Sequence, residues 1–295
     1  VPTAISTIDV RSWTFESLVP AAADTRDLTE RLENGAVLFL PSLPFVIETA
    51  ESPLFSAGIL ASAKNASFDP ATGRTGGTTL EGSQLFRLRE MMARFSDRAA
   101  ALVAALLPSY RPHLRRARAS FRPAEIAGRR TSWRQDDTRL HVDSFPATPV
   151  QGQRILRVFS NINQDGRPRA WRVGDAFETV ASRFAPALSL PWPGSGAVLR
   201  VLRLTKSHRS AYDALMLQLH DRMKEDGDFQ ARSPQTAVDF PAGSTWLAFT
   251  DQVPHAAMSG QYQLEQTFLL PVSAMIDDRR SPLRILERLK GRRLT

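Results

Sequence analysis

Arg139-Leu140-His141-Val142-Asp143-Ser144-Phe145-Pro146 is the stretch on which the reading of this chain turns. On an extended strand, side chains two apart share a face, so His141 and Asp143 point one way while Leu140 and Val142 point into packing. An imidazole and a carboxylate side by side on a rigid element can supply two adjacent ligands to a divalent metal. A second histidine from a distant strand completes a two-His, one-carboxylate set, which on Fe(II) leaves positions open for oxygen and a co-substrate. Taken alone, His-x-Asp also fits a hydrogen-bonded surface pair, so the rest of the chain has to decide.

Downstream, Gly243-Ser244-Thr245-Trp246-Leu247-Ala248-Phe249-Thr250 reads as a strand. Asp251-Gln252-Val253-Pro254-His255 follows, and then a further strand from Tyr262 to Pro271. A histidine just past a strand and its turn, at the mouth of a β-barrel, stands where a distal ligand is wanted. His255 is therefore the choice among five histidines. His208 is flanked by Lys206 and Arg209, whose charge disfavours a bound cation, while His220 lies mid-helix and His113 in an Arg-rich loop. Those three read as ordinary surface or capping histidines.

Composition narrows the chemistry further. The 295 residues are 42% hydrophobic and 23% charged, which excludes a disordered, collagenous or coiled-coil chain. There is no cysteine, so disulfides, thiolate-bound zinc, iron–sulfur clusters and thiol nucleophiles are excluded, and any metal must use His, Asp or Glu. The net charge of +8 favours anionic partners: nucleic acid, acidic lipid or a small acid. The longest nearly apolar run, Ala99 to Leu107, falls far short of the roughly 20 residues a membrane-spanning helix needs. The start shows no charged region followed by an apolar one, and a cytosolic protein is the expectation.

Periodicity organises the rest. Asp24 to Glu33 reads as a short helix closed by Asn34-Gly35, and Ala36-Val37-Leu38-Phe39-Leu40 as a strand buried on both faces and stopped by Pro41. Asn65 to Gly82 reads as loop. Leu85, Leu88, Met92, Phe95, Ala99, Leu102, Val103 and Leu106 mark a long amphipathic helix ending near Pro108. From Phe121 to Val158 short runs alternate with turn residues, and Arg154 to Asn163 alternates at period two. Ser210 to Lys224 reads as a second helix, Pro234 to Val272 as strands with a turn at Pro241-Ala242-Gly243, and Ser281 to Arg293 as a basic amphipathic helix. One mixed α+β domain over 1–295 is predicted: a mainly helical bracing region over 1–120, a β core over 121–275 and the basic helix over 276–295.

At this point the residues resemble the iron(II)/2-oxoglutarate-dependent dioxygenases, whose double-stranded β-helix, a jelly-roll or cupin-like core, carries His-x-Asp and a later His. Within them, Ala211-Tyr212-Asp213 through His220-Asp221-Arg222-Met223-Lys224, Phe240-Pro241-Ala242-Gly243-Ser244-Thr245-Trp246, Phe249-Thr250-Asp251, His255-Ala256-Ala257 and Gly260 through Pro271 resemble the Kdo 3-hydroxylase family. The likeness runs from about Ser132 to Pro271 and continues more loosely into the first half. These bacterial enzymes act on Kdo, the acidic eight-carbon sugar attached to lipid A. The resemblance implies Fe(II), 2-oxoglutarate as co-substrate, dioxygen, hydroxylation at carbon 3 of Kdo, and succinate and carbon dioxide as products.

The far carboxylate of 2-oxoglutarate needs a buried cation, and a bidentate arginine suits it. No Lys or Arg lies between His255 and Arg279, so the anchor common after the distal histidine is absent. Strand parity over Arg154 to Asn163 puts Ile155, Arg157, Phe159, Asn161 and Asn163 on one face, suited to a polar barrel interior. Arg157 is then the expected anchor, or a cation that faces water, with Asn161, Gln266 and Thr267 lining the co-substrate pocket. Arg129, Arg130, Arg134, Lys206 and Arg209 are expected to meet the sugar carboxylate and the lipid A phosphates, with Arg169 and Arg172 as weaker candidates. Trp171 and Trp133 either wall the sugar or belong to the core. Asp136-Asp137 and Asp277-Asp278 are expected to be solvated loop charges. The terminal helix packs its leucines on the barrel or, at the inner face of the cytoplasmic membrane, meets anionic lipid. Two alternatives stand beside this reading: a hydroxylase of a protein or nucleic acid, and a non-catalytic basic module that binds membrane or nucleic acid. The first is disfavoured by the lack of an aromatic-rich basic motif, and no nucleic-acid partner is expected.

Overall fold

The computed structural model describes every residue except 1–3, 10–13, 16, 19–24, 62–63 and 193. The first half carries β1 (Ile5–Thr7), α1 (Thr25–Glu33), β2 (Val37–Leu40), β3 (Ala66–Asp69), β4 (Arg74–Gly76), α2 (Gly82–Leu106) and β5 (Arg115–Arg122). The second carries β6 (Arg154–Asn161), β7 (Arg169–Val173), α3 (Phe177–Phe184), α4 (Ser195–Val201), α5 (Ala211–Glu225), α6 (Gly227–Arg232), β8 (Thr236–Phe240), β9 (Thr245–Phe249), β10 (His255–Ser259), β11 (Gln263–Leu270) and α7 (Pro282–Lys290).

Eight strands form one sheet in the order β1-β2-β9-β6-β11-β5-β3-β4, and β10-β7-β8 form a second. A bridge between His141 and His255 ties the segment before Asp143 to the edge of the smaller sheet. The two sheets face each other as a double-stranded β-helix, the α+β jelly roll the resemblance implies. The strands alternate as parity requires: Leu156 and Val158 pack with α2 and its neighbours, while Phe159 joins Trp171, Phe240 and Trp246 between the sheets.

The long helix forms for the predicted reason. In α2, Leu88, Met91, Met92, Phe95, Ala99, Leu102, Val103 and Leu106 are all buried, and Pro108 closes the element. Truncating one such side chain to Ala costs about 2–5 kcal/mol. Between the sheets, an aromatic plug fills the barrel: Phe240 and Trp246 stack with ring centroids 4.0 Å apart, and Trp171 meets both edge-on. With that end filled, the polar interior is confined to the other.

One expectation needs correcting, and two gain detail. Residues 65–82 contain the β3–β4 hairpin, whose strands of four and three residues are too short to show alternation. The 1–120 region is not simply helical bracing, because it supplies β1–β4 and most of β5, which pairs directly with β11. In the terminal helix α7, Leu283, Ile285 and Leu286 are buried and the cations are engaged. Arg284 bonds Asp278 and Glu287, Arg288 bonds Glu178, and Lys290 bonds the carbonyls of Ala185 and Leu188. Of its two readings, packing on the body of the protein is the one realised. The predicted start of α1 at Asp24 lies outside the described residues.

Candidate metal centre

His141 and Asp143 come from the segment beside β10, and His255 opens β10 itself after the turn from β9. One donor atom from each lies within 4.8 Å of the others. Two backbone pairings set this: His141 and His255 exchange N–H···O bonds of 3.0 and 2.8 Å, and the Asp143 amide donates to the Thr250 carbonyl at 2.8 Å. The residues at the turn before His255 are thus the ones that hold Asp143 in place.

The tautomers are fixed as well. His141 Nδ1 donates to the Arg139 carbonyl at 2.7 Å and His255 Nδ1 to the Val253 carbonyl at 2.9 Å, since a carbonyl can only accept. Each ring therefore presents an unprotonated Nε2, the form a metal binds. Burial pushes both imidazoles below their ordinary pKa, His141 well below it. Burial pushes the Asp143 carboxyl up, but Arg157 and His255 outweigh it and hold it below the usual range. Two neutral imidazoles and one carboxylate, with no proton to displace, fit a divalent ion.

Beside the three donors lies a cavity of about 120 Å³, lined among others by Arg122, Arg157, Arg169, Trp171, Gln263 and Glu265. Arg157 pairs with Asp143 at 3.3 Å and with Glu265 at 3.0 Å, and Arg122 pairs with Glu265 at 3.2 Å. Arg169 is different. Its Nη1 donates to the Gly260 carbonyl at 2.6 Å, but its Nε is buried without a hydrogen-bond partner. Burial, with Arg122 and Arg129 nearby, pushes its pKa down to about 9, the mark of a cation short of a counter-charge. Asp143 Oδ2, Arg157 Nε, Trp171 Nε1 and Gln263 Oε1 are also buried without a hydrogen bond. Buried polar atoms are nearly always bonded, so such a concentration beside a metal-type triad marks a place completed by ligands. Gly260 makes Arg169's position possible. Its φ is +106°, and a Cβ there would fall 2.9 Å from the Pro168 carbonyl and 3.0 Å from the Arg169 side chain.

Other sequence-predicted residues distribute unevenly. Trp171 lines the cavity and stacks on His255, centroids 5.1 Å apart. Asn161 does not face a ligand: its Nδ2 donates to the Arg167 and Phe240 carbonyls, and its Oδ1 accepts from the Asn163 amide. It holds the turn between β6 and β7. Gln266 sits opposite Val158 and bonds the Ala117 and Thr267 carbonyls, on the wrong face for the cavity, and Thr267 does not line it either. On β11 the lining residues are Gln263 and Glu265 instead. Arg129 lines an adjoining hollow of about 160 Å³ with Lys64 and Asp137, its guanidinium held by the Ala124 and Glu125 carbonyls. Arg130 is exposed, and Arg134 pairs with Asp221 at 3.2 Å. Lys206 and Arg209 lie on a segment outside both hollows.

Two further readings change. Asp137 is not a solvated charge: it lines both hollows and meets Lys64 at 3.2 Å, and burial is outweighed by Arg122 and Lys64, so its carboxyl is held low. His220 is not a surface histidine either, because its ring packs edge-on against His141 at 5.2 Å. Helical periodicity places His220 on α5 but cannot tell which partner its face meets. A cleft of about 1030 Å³ between the ends of α1, β1 and the Asp277–Arg280 turn shares no residue with the metal centre.

Fold and donor set together define the class of non-heme Fe(II)/2-oxoglutarate dioxygenases. The profile of the 3-deoxy-D-manno-oct-2-ulosonic acid (Kdo) hydroxylases matches residues 16–293, and this chain belongs to that family. Among solved structures it is similar to the Kdo hydroxylase KdoO, a non-heme Fe(II) alphaketoglutarate dependent dioxygenase, in complex with cobalt(II). Identity there is 44% over 99% of this chain and 97% of that one, with a TM-score of 0.95. The same enzyme with alphaketoglutarate and Fe(III) gives 43% identity over 98% and 97%, with a TM-score of 0.93. No curated protein matches the chain.

Proposed function

We propose that this chain hydroxylates Kdo at carbon 3 in Kdo-bearing lipid A, using Fe(II), 2-oxoglutarate and dioxygen, as a single dioxygenase domain. The observation that carries the reading is a two-His, one-carboxylate set with both Nε2 atoms bare, beside buried polar atoms that lack partners. Family membership supports the sugar.

His141, Asp143 and His255 are the residues that would hold Fe(II). With 2-oxoglutarate bound, the metal would supply the activation of dioxygen that leaves succinate, carbon dioxide and a hydroxylated sugar. The protein's own part is geometry. The carbonyls of Arg139 and Val253 hold the imidazoles in the metal-binding tautomer, and Arg157 keeps Asp143 ionised and aimed. Arg157 is already shared by two carboxylates, whereas Arg169 meets no carboxylate among the described residues, so the anchor for the far carboxylate of 2-oxoglutarate is better assigned to Arg169. A cavity of about 120 Å³ has the room of about four waters, enough for a small dicarboxylate but not for a lipid-linked sugar as well. The sugar therefore approaches from the mouth, where Arg129 and Lys64 in the adjoining hollow suit its carboxylate. Trp171 gives the site an apolar wall and keeps water from His255.

Among the described residues no helix is long and apolar enough to cross a membrane. The place of action proposed is the inner face of the cytoplasmic membrane. The test is incubation of iron-loaded protein with Kdo-bearing lipid A and mass analysis of the glycolipid. One added oxygen that requires 2-oxoglutarate is expected, and an unmodified glycolipid alongside intact Fe(II) and 2-oxoglutarate binding refutes the substrate.

A further inference from the structure

Nine large apolar side chains are exposed among the described residues, and five of them crowd into one segment. Trp192 is 85% exposed, Val201 79%, and Leu202 and Leu204 62% each, with Leu190 beside them. A folded domain does not leave a tryptophan and three aliphatics in water without use, since each forgoes the gain of burial. The cations interleave with them: Arg200, Arg203 and Lys206 are exposed, and none has a carboxylate partner among the described residues. No Asp or Glu occurs between Glu178 and Asp213. The segment is thus apolar and purely cationic at once.

Its two ends are clamped. Ser189 and Gln218 of α5 exchange two hydrogen bonds of 2.9 and 2.8 Å. At the other end the Lys206 amide donates to the Ala147 carbonyl at 2.9 Å, Arg209 to the Pro146 carbonyl at 2.6 Å, and Gln151 to the His208 carbonyl at 3.1 Å. Asp213, which caps α5, also accepts from the amides of Val150 and Gln151. The segment is therefore an excursion seated on residues 146–151, which follow directly on the segment that carries Asp143.

We infer that the excursion from Leu190 to Lys206 docks the protein on an anionic phospholipid surface. Trp192 and the aliphatic residues enter the headgroup region while Arg200, Arg203 and Lys206 meet lipid phosphates. A lipid surface fits better than a protein partner because the patch lacks any acceptor charge and combines Trp, Leu and Arg as interfacial segments do. The inference deepens the functional reading above and rests on it for its purpose: a sugar tethered to lipid is met where the lipid lies. It also moves that contact away from α7, whose cations are engaged within the protein.

The experiment is cosedimentation of the iron-loaded protein with vesicles of phosphatidylethanolamine and phosphatidylglycerol, against vesicles of phosphatidylcholine alone. Wild type is expected to pellet with the anionic vesicles only, and less so as salt is added. Two variants, Trp192→Ser with Leu202→Ser and Arg200→Glu with Arg203→Glu, are each expected to lower the bound fraction at least about tenfold. Their melting temperatures should stay at the wild-type value, since the side chains are exposed. Unchanged binding in both variants, or wild type that pellets with neither vesicle, overturns the inference. Turnover of deacylated, water-soluble Kdo saccharide reads the function separately, and both variants should match wild type on it. Wild type that turns over neither the saccharide nor the glycolipid sinks the functional reading and leaves the vesicle result standing.

Discussion

Arg154 and Arg157 stand three residues apart on β6, and each meets a carboxylate in the interior. Arg154 is fully enclosed: it bonds Asp251 at 2.8 Å and Gln252 at 2.6 Å, and its guanidinium lies 3.8 Å over the Phe249 ring. Burial pushes Asp251 up despite that partner, so the pair is held together by enclosure as much as by charge. Arg157, by contrast, faces a cavity, and its Nε and the Asp143 Oδ2 beside it lack well-formed hydrogen bonds. The sealed pair is finished by the protein itself. The open one is finished only by something bound, and that difference separates a structural ion pair from a functional one better than burial or charge does.

Four predictions sharpen the contrast. The largest effect belongs to Arg154→Ala, expected to cost about 3–5 kcal/mol in denaturant unfolding, because it leaves Asp251 buried and unpaired. Cobalt(II) should raise its stability only as far as it raises that of wild type, leaving the deficit in place. Arg157→Ala should lose stability in the metal-free protein and regain a good part of it with cobalt(II), which neutralises Asp143. If both variants respond to the metal alike, the contrast between sealed and open pairs is broken.

Next comes metal linkage itself. Wild type at a metal concentration of a hundred times Kd should gain about 2.7 kcal/mol, seen as a raised melting temperature, whereas His141→Ala should gain nothing. A similar rise in the variant would mean the ion binds elsewhere.

Arg169→Ala should raise the 2-oxoglutarate requirement by about ten- to a hundredfold, the worth of a charge-assisted bond, with metal affinity nearly unchanged. Arg157→Ala should leave the 2-oxoglutarate requirement nearly unchanged, and a requirement raised as far as in Arg169→Ala would return the anchor to Arg157. The smallest effect is expected of Asn161→Ala, about 1–2 kcal/mol of stability with an unaltered 2-oxoglutarate requirement. A raised requirement there would contradict its assignment to the β6–β7 turn.

What could be read from the sequence follows the range of the signal. His141, Asp143 and His255 were legible because strand parity and the strand-turn-His pattern are local, and the buried faces of α2 and α5 because helical spacing is. Arg169 stands out little in the sequence because its environment is made by Gly260, far along the chain, and a close approach of that kind leaves only a glycine to read. Asn161 is subject to the same limit: parity turns it inward, but the Arg167 and Phe240 carbonyls that occupy it are set by tertiary folding. Of the alternatives Thr267 and Gln266, Gln266 lies opposite Val158 on the far face of β11, while Thr267 shares the face of Gln263 and Glu265 but lies beyond the cavity they line. His220 and Asp137 gained their places by packing across elements, which no single-element pattern encodes.

The central claim is that His141, Asp143 and His255 grip one ion. Anaerobic titration with Fe(II) in the presence of 2-oxoglutarate measures it directly through the visible charge-transfer absorption of the chelate. The band should grow to one iron per chain in wild type and be absent in Asp143→Ala and in His255→Ala. A band of full intensity in those two variants would contradict it.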